Sequence, residues 1–292
     1  MARAPERPDF GGPFPAHIAV IMDGNGRWAQ KQGFKRVFGH EKGVAAVRAI
    51  VTECAQLGVE SLTLYAFSVE NWKRPEHEIR FLMGMLERFL VDERPTLMEN
   101  RVRLRGLGRV EDLPAAPLRE LRAAEAQTAA NDGMLLRLAL SYGSRSEIAD
   151  ALKRYGADVQ AGRVDPSRAD EETLRAYLYD STTPDPDLLI RTAGELRLSN
   201  FLLWQSSYTE LHVVEACWPE FGREELHAAL RAYAVRTRKY GGLAPDKQAR
   251  KESDVQGGLA SDTRSGLASD IRSGLASDST PPRDPASAKG TR

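Results

Sequence analysis

His17-Ile-Ala-Val-Ile-Met-Asp-Gly-Asn-Gly-Arg-Trp28 decides the fold. An apolar run of strand length gives way, without any alternation, to a glycine-rich turn. Unbroken apolar runs of this length are what a strand covered on both faces requires. Downstream, Val44, Val47, Ile50, Val51, Cys54 and Leu57 recur at helical spacing, and Gly58 supplies a stop. Ser61-Leu-Thr-Leu-Tyr-Ala-Phe67 reads as the next strand. Further strands are expected over Val102–Leu107, Met134–Leu140, Asp187–Ile190 and Leu211–Val214, with helices between most of them. Strands alternating with helices imply crossover connections, hence a mostly parallel central sheet of about six strands flanked by helices. The expected organisation is a flexible N-terminus (1–14), one α/β domain (15–246) and a tail (247–292). A helical stretch from Glu76 to about Asn100 contains Pro95, so it should end or kink near Arg94. Phe81, Leu82, Met85, Leu86, Phe89 and Leu90 make that helix apolar over a wide arc. Periodicity is compatible with a core-facing helix and with the wall of an apolar cavity.

The bulk numbers narrow the class. Among 292 residues, 41% are hydrophobic, enough for a sizeable core, and no apolar run is long enough to span a bilayer. The first residues lack the apolar centre of a secretion signal. Cys54 and Cys217 stand apart among apolar neighbours, as reduced structural thiols of a cytoplasmic protein do. Of 41 basic and 41 acidic residues, 8 and 6 fall in the last 46, leaving the rest slightly acidic. A general nucleic-acid binder would be basic, so any anion must be met by a local cluster. Gly-Leu-Ala-Ser-Asp repeats from positions 258, 266 and 274. Each unit offers one leucine, too little to offset chain entropy, so the tail reads as disordered.

A strand, a glycine turn and a helix together place unpartnered backbone N–H groups where an anion can sit. In Asp23-Gly24-Asn25-Gly26-Arg27-Trp28 the glycines admit close approach, and Arg27 offers a fork suited to phosphate oxygens. A carboxylate in such a loop makes sense when Mg²⁺ bridges it to phosphate; a simple capped turn is the other reading. Arg36 and His40 come next, and Ser68, Glu70, Asn71, Trp72 and Arg74 cluster where the second strand ends. Arg191, Arg197, Ser199 and Glu210 lie near the ends of later strands. Ligands of open α/β sheets sit at the carboxyl ends of strands, so Asp23 and Asn71 are expected to face one crevice. No zinc spacing and no G-x-S-x-G elbow is present.

Three blocks carry a family resemblance: His17 to Ala29, Ser68-Val-Glu-Asn-Trp-Lys-Arg-Pro75, and Ile190-Arg-Thr-Ala-Gly-Glu-Leu-Arg-Leu-Ser-Asn-Phe201. They resemble, in order, the signature blocks of cis-prenyltransferases, the bacterial undecaprenyl diphosphate synthases above all, over about four fifths of the chain. The all-helical trans-prenyltransferases need Asp-Asp-rich motifs, which are missing here. The resemblance implies repeated condensation of isopentenyl diphosphate onto an allylic diphosphate such as farnesyl diphosphate, giving a long cis-polyprenyl diphosphate. It implies that Gly24, Asn25, Gly26, Arg27, Arg36, His40 and Arg74 hold the allylic diphosphate, and that Arg191, Arg197, Leu198 and Ser199 serve isopentenyl diphosphate. Ser68, Val69 and Glu70 belong to the same substrate-binding set, Trp28 and Trp72 would shape the cleft, and Asp23 and Glu210 would serve Mg²⁺. Catalytic roles fall on Asp23 and Asn71. An amide has no pKa near neutrality, so Asn71 is expected to orient a water or the diphosphate, with Asp23 or released diphosphate taking the proton. The apolar helix becomes the wall of a product tunnel, with Ala66, Val102 and Met134 flanking its depth.

The family pattern is departed from at Ser141-Tyr-Gly-Ser-Arg145, at Ala193 and at Leu196, which leaves product length open. A homodimer, peripheral contact with the inner membrane face and no nucleic acid complete the implied picture. The competing readings are a short-chain cis-prenyltransferase and a non-catalytic partner subunit. Retention of Asp23, Arg27, Arg191 and Arg197 weighs against the latter.

Overall fold

The apolar runs pair as their two-sided burial requires. In the computed structural model, which describes residues 8–236, β1 (His17–Ile21) is buried at every position. It lies between β2 (Ser61–Ser68) and β5 (Leu188–Arg191), parallel to both. β3 (Arg103–Leu107), β4 (Leu135–Tyr142) and β6 (Glu210–Val213) complete a six-stranded sheet of order β3-β4-β2-β1-β5-β6. Every pairing is parallel, so the expectation of a mostly parallel sheet is met without an antiparallel edge. The crossovers are α1 (Asn25–Lys31) and α2 (Arg36–Gln56), α3 (Glu76–Asp92) and α4 (Arg94–Glu99), α5 (Ala115–Thr128), and α6 (Ser144–Gln160) and α7 (Glu171–Tyr177); α8 (Arg223–Ala234) comes after β6. The described residues form a single α/β domain.

Strand residues alternate between two cores. Ile18, Val20, Leu62, Leu64, Leu136, Leu138, Leu188 and Ile190 meet residues of α2, α3, α5 and α8. Ala19, Ile21, Ala139, Tyr142 and Leu189 meet Phe201 and Leu202 on the other face. That second face also carries a buried polar layer. There His17 Nε2 lies 2.8 Å from Thr63 Oγ1 and 3.0 Å from Arg137 Nη2, and Arg137 reaches Asp180 at 3.1 Å. As Pro95 demands, the long helix is broken between Asp92 and Arg94.

One irregularity matters to the site. The β2–β4 register slips between Tyr65 and Phe67, leaving Ala66 as an extra, exposed residue. A bulge of this kind bends the strand and re-aims the residues beyond it, here Phe67, Ser68 and the 3-10 turn Val69–Lys73. Packing begins earlier than expected: Phe10 is 8% exposed and stacks edge-on to His227, so residues 8–14 are not a loose extension of the domain. The repeat tail lies outside the described residues.

Candidate active site

The carboxyl ends of the central strands open into a cavity of about 710 Å³. Its floor and walls are apolar, from Leu64 and Phe67 of β2, Leu138 and Leu140 of β4, Val44 and Val47 of α2, and Leu82, Met85, Leu86 and Phe89 of α3. The wide apolar arc of α3 is thus cavity wall as well as core. The polar lining gathers Asp23, Asn25, His40, Ser68, Glu70, Asn71, Arg74, Arg191, Arg197 and Ser199. Apolar pockets with a few convergent polar groups are the usual form of ligand sites. Ala66 lines the cavity, but Val102 and Met134 do not. They are buried immediately before β3 and β4, at the opposite end of the sheet.

Asp23 is the hub. Its Oδ2 accepts from Arg191 Nη2 at 2.9 Å, its Oδ1 from the Gly24 N–H at 2.6 Å, and Arg27 stands 3.4 Å away. Burial opposes ionisation of Asp23. The Arg191 and Gly24 hydrogen bonds and the charges of Arg191 and Arg27 prevail, holding the carboxyl below its ordinary range. Gly24 cannot be replaced here: its φ is 94°, and a Cβ would lie 2.8 Å from Ala193 Cβ and 2.9 Å from Cys217 Sγ. It starts α1 without a side-chain cap, so the first-turn N–H groups have no side-chain acceptor.

Arg191, 4% exposed, also donates to Ser199 Oγ at 2.8 Å and to the Arg197 carbonyl, joining the third sequence block to the first. Arg27 reaches Glu195 at 3.1 Å, and Glu195 also pairs with Arg197. Arg74 pairs with Glu78 at 2.8 Å. Burial, then the Arg74 guanidinium, push the His40 imidazole down to about 4, Arg36 acting the same way and Glu78 opposing. With no ligand bound, the His40 imidazole is therefore uncharged at neutral pH. Asn71 Oδ1 accepts from the Ser68 N–H at 3.0 Å at the start of the 3-10 turn. With its oxygen so engaged, Asn71 can offer the cavity its N–H donors.

Several expected site residues stand back from the cavity surface. Gly24, Gly26 and Arg27 form the turn behind Asp23, and Trp28 is half-buried in α1 away from the lining. Arg36 packs beside Gly26, where a Cβ would meet its Nε at 3.0 Å. Trp72 supports the wall from outside: it packs edge-on against Phe67 with centroids 4.8 Å apart and donates to Ser141 Oγ at 2.9 Å. Val69 sits in the 3-10 turn, and Leu198 lines a second depression with Glu70, Arg145 and Asn200.

Glu210 lies apart from Asp23 within the chain. It pairs in register with Leu188, three residues before Val213, which pairs with Arg191. At about 3.3 Å per residue, that places it roughly 10 Å toward the amino ends of the strands, where it pairs with Arg236 at 2.7 Å. It does not join Asp23 in one chain, and among the described residues no group of three His, Cys, Asp or Glu could hold a metal. What fits Asp23 is an Mg²⁺ ion that arrives on phosphate oxygens and needs one carboxylate.

The structure adds residues that the motifs do not single out. Thr192, fully buried, accepts from the Asp23 N–H at 2.8 Å and donates to its carbonyl at 2.7 Å. Trp218 lines the cavity and its backbone N–H donates to the same carbonyl at 2.9 Å. Tyr65, whose phenol burial pushes up, donates to the Ser199 carbonyl at 3.3 Å. Thr192 and Tyr65 lie in or beside the three sequence blocks, but their contacts cannot be read from spacing.

The sequence profile of the undecaprenyl diphosphate synthase family of prenyltransferases matches residues 21–241. The chain is 49% identical to an isoprenyl transferase of Heliobacterium mobile over 78% of its own length and 88% of that protein. It is 44% identical to isoprenyl transferase 2 of Streptomyces avermitilis, over 88% of this chain and 90% of the other. Its fold is similar to lavandulyl diphosphate synthase from Lavandula x intermedia, crystallised with dimethylallyl diphosphate. There the TM-score is 0.77 at 36% identity, covering 78% of this chain and 99% of that one. A probable undecaprenyl diphosphate synthase from Campylobacter jejuni superposes with a TM-score of 0.66 at 32% identity, over 79% of this chain and all of the other.

Proposed function

The chain belongs to the undecaprenyl diphosphate synthase family of prenyltransferases, and from that premise we propose that it condenses isopentenyl diphosphate with an allylic diphosphate, farnesyl diphosphate being the expected primer, and repeats the step to make a long cis-polyprenyl diphosphate such as undecaprenyl diphosphate. The observation that carries this reading is one apolar cavity whose polar lining joins Asp23, Asn71, Arg74, Arg191, Arg197 and Ser199. An apolar tail needs the deep walls and two diphosphates need the cations. Repeated extension needs both in one chamber.

The bond between the primer carbon and its diphosphate oxygen breaks, and the electron pair leaves with the diphosphate. The isopentenyl double bond attacks that carbon, and a proton is then lost to restore a double bond. Negative charge grows on the departing oxygen, so fixed donors aimed there lower the barrier most. Arg74 and the first-turn N–H groups of α1, with Arg27 and Arg36 adding positive charge from behind the cavity wall, serve the primer diphosphate, with His40 as a hydrogen-bonding partner. Arg191, Arg197 and Ser199 serve isopentenyl diphosphate. Asn71 directs N–H donors at a diphosphate oxygen or a water, leaving Asp23 or the released diphosphate to accept the proton. Mg²⁺, held by Asp23 and phosphate oxygens, would neutralise charge on the leaving group.

A homodimer, a cytoplasmic location and peripheral membrane contact belong to the same proposal. Exposed Tyr208 and Leu211 beside the sheet edge at β6 support the first. No helix among the described residues is long and apolar enough to cross a membrane, so a long lipid product would reach the bilayer through surface contact. Likeness to lavandulyl diphosphate synthase favours a short-chain product as the second reading. Labelled isopentenyl diphosphate with farnesyl or dimethylallyl diphosphate, with and without Mg²⁺, and then product chromatography, decides among these. Long products from farnesyl diphosphate support the reading, products of two or three units favour the second, and no incorporation overturns both.

A further inference from the structure

The loop after β5 holds three residues other than glycine at positive φ within a run of four: Ser199 at 47°, Asn200 at 61° and Leu202 at 45°. L side chains rarely adopt this region, asparagine most readily, and such a run persists only when its surroundings hold it. Several restraints are visible. The Ser144 N–H donates to the Asn200 carbonyl at 2.8 Å, the Leu203 N–H donates to Ser144 Oγ at 3.1 Å, and Tyr65 and Arg191 hold Ser199.

The Asn200 side chain goes further and leaves its own loop. Its Nδ2 donates to Glu70 Oε1 at 2.8 Å, in the 3-10 turn that carries Asn71, and its Oδ1 accepts from the Arg145 N–H at 2.9 Å in the first turn of α6. Both partners fix the amide's orientation, since a backbone N–H only donates and a carboxylate only accepts. Burial opposes the charge on Glu70, yet the Asn200 hydrogen bond helps hold its carboxyl below the usual range. The path is kept open by Gly143, where a Cβ would stand 2.7 Å from both Asn200 Nδ2 and Val69 Cγ2. A side chain at position 143 would push the two elements apart.

We propose that Asn200 is a positioning residue that sets the spacing of the two diphosphate sites, by tying the loop bearing Arg197 and Ser199 to the turn bearing Glu70 and Asn71. The assignment of the two sites rests on the prenyl-transfer reading; the bridge itself does not. Asn200 acts through these neighbours, so its loss moves substrate affinity and turnover more than folding.

Four full-length proteins test it: wild type, N200D, E70Q and N200D/E70Q. In N200D the Arg145 acceptor survives, but a carboxylate faces Glu70. Isopentenyl diphosphate binding is measured by calorimetry without primer, so that no reaction occurs, alongside the KM for each substrate, kcat and the melting temperature. N200D is expected to weaken isopentenyl diphosphate binding about tenfold, as the loss of one hydrogen bond to a charged group does, and to raise its KM. The double variant, with a Gln donor facing the new carboxylate, should recover beyond the product of the single effects. A merely structural residue would lower melting temperature and active fraction without moving affinity or KM, and would show no such recovery; that result overturns the inference, as does N200D binding like wild type. If the wild type binds isopentenyl diphosphate but forms no product, the functional reading fails and the binding cycle still judges Asn200. If the wild type does not bind it, both fall.

Discussion

Replacing Thr192 with valine isolates the hydroxyl that holds Asp23. The residue is fully buried, and valine keeps its shape while removing both hydrogen bonds to the Asp23 backbone, at 2.8 and 2.7 Å. Neither backbone group is left bare: the Asp23 N–H also lies 3.0 Å from the Ile21 carbonyl, and the Asp23 carbonyl keeps Trp218. The full penalty for orphaned polar groups therefore does not apply, and the loss is two net hydrogen bonds, about 2 kcal/mol. For a domain of this size each kcal/mol moves the melting temperature by about 2–4 °C, so Thr192→Val should melt roughly 4–8 °C lower. Thr192→Ser keeps both bonds and loses one buried methyl, about 1 kcal/mol, or roughly 2–4 °C. Activity should separate the pair more sharply. Serine leaves Asp23 in place, whereas valine frees it to drift from Arg191, and a misplacement of that kind can lower kcat/KM by about 100-fold. Calorimetric melting and steady-state kinetics on both variants are the measurements. A valine variant that melts no lower than the serine one, or turns over equally well, would refute the clamp.

Other outcomes rest on the same geometry. Asn71→Asp keeps the acceptor for the Ser68 N–H but removes the donor, so turnover should fall with the fold intact; full turnover with a new pH-dependent limb would show that position 71 acts as a base. The His17 imidazole, 1% exposed, is pushed by burial, the charge of Arg137 assisting, down to about 3. Between pH 6.5 and 3 only the unfolded chain takes up that proton, so stability present at neutral pH is lost as pH falls. At pH 5 the loss is about 2 kcal/mol, from roughly 1.5 pH units below the unfolded value at about 1.4 kcal/mol each. Urea unfolding at pH 7 and 5 should show a smaller difference in His17→Gln than in wild type, and an equal difference refutes the assignment. Chelation with EDTA should stop turnover with little change in melting temperature, because Asp23 is already satisfied by Arg191, Gly24 and Arg27; undiminished product formation would remove the Mg²⁺ role.

What the sequence determined by itself is what local rules govern. Two-sided burial writes strands as unbroken apolar runs, so β1, β2 and β4 were legible within a residue or two. Pro95 cannot sit inside a helix, and the break fell where it had to. Because parallel strands all point their carboxyl ends the same way, Asp23 and Asn71 could be assigned to one crevice from the order of elements alone. Tertiary structure decided whatever depends on the register between distant segments. Glu210 comes after the third block in sequence, yet the pairing of β6 with β5 sends it toward the amino ends of the strands. Trp72 looked like a cleft residue until the bulge at Ala66 turned Phe67 into the lining and left the indole behind it. The grip of Thr192 on Asp23 and the reach of Asn200 to Glu70 span 169 and 130 residues of chain. Periodicity reports which face a side chain takes on its own element, and carries no information on what a distant element brings against it.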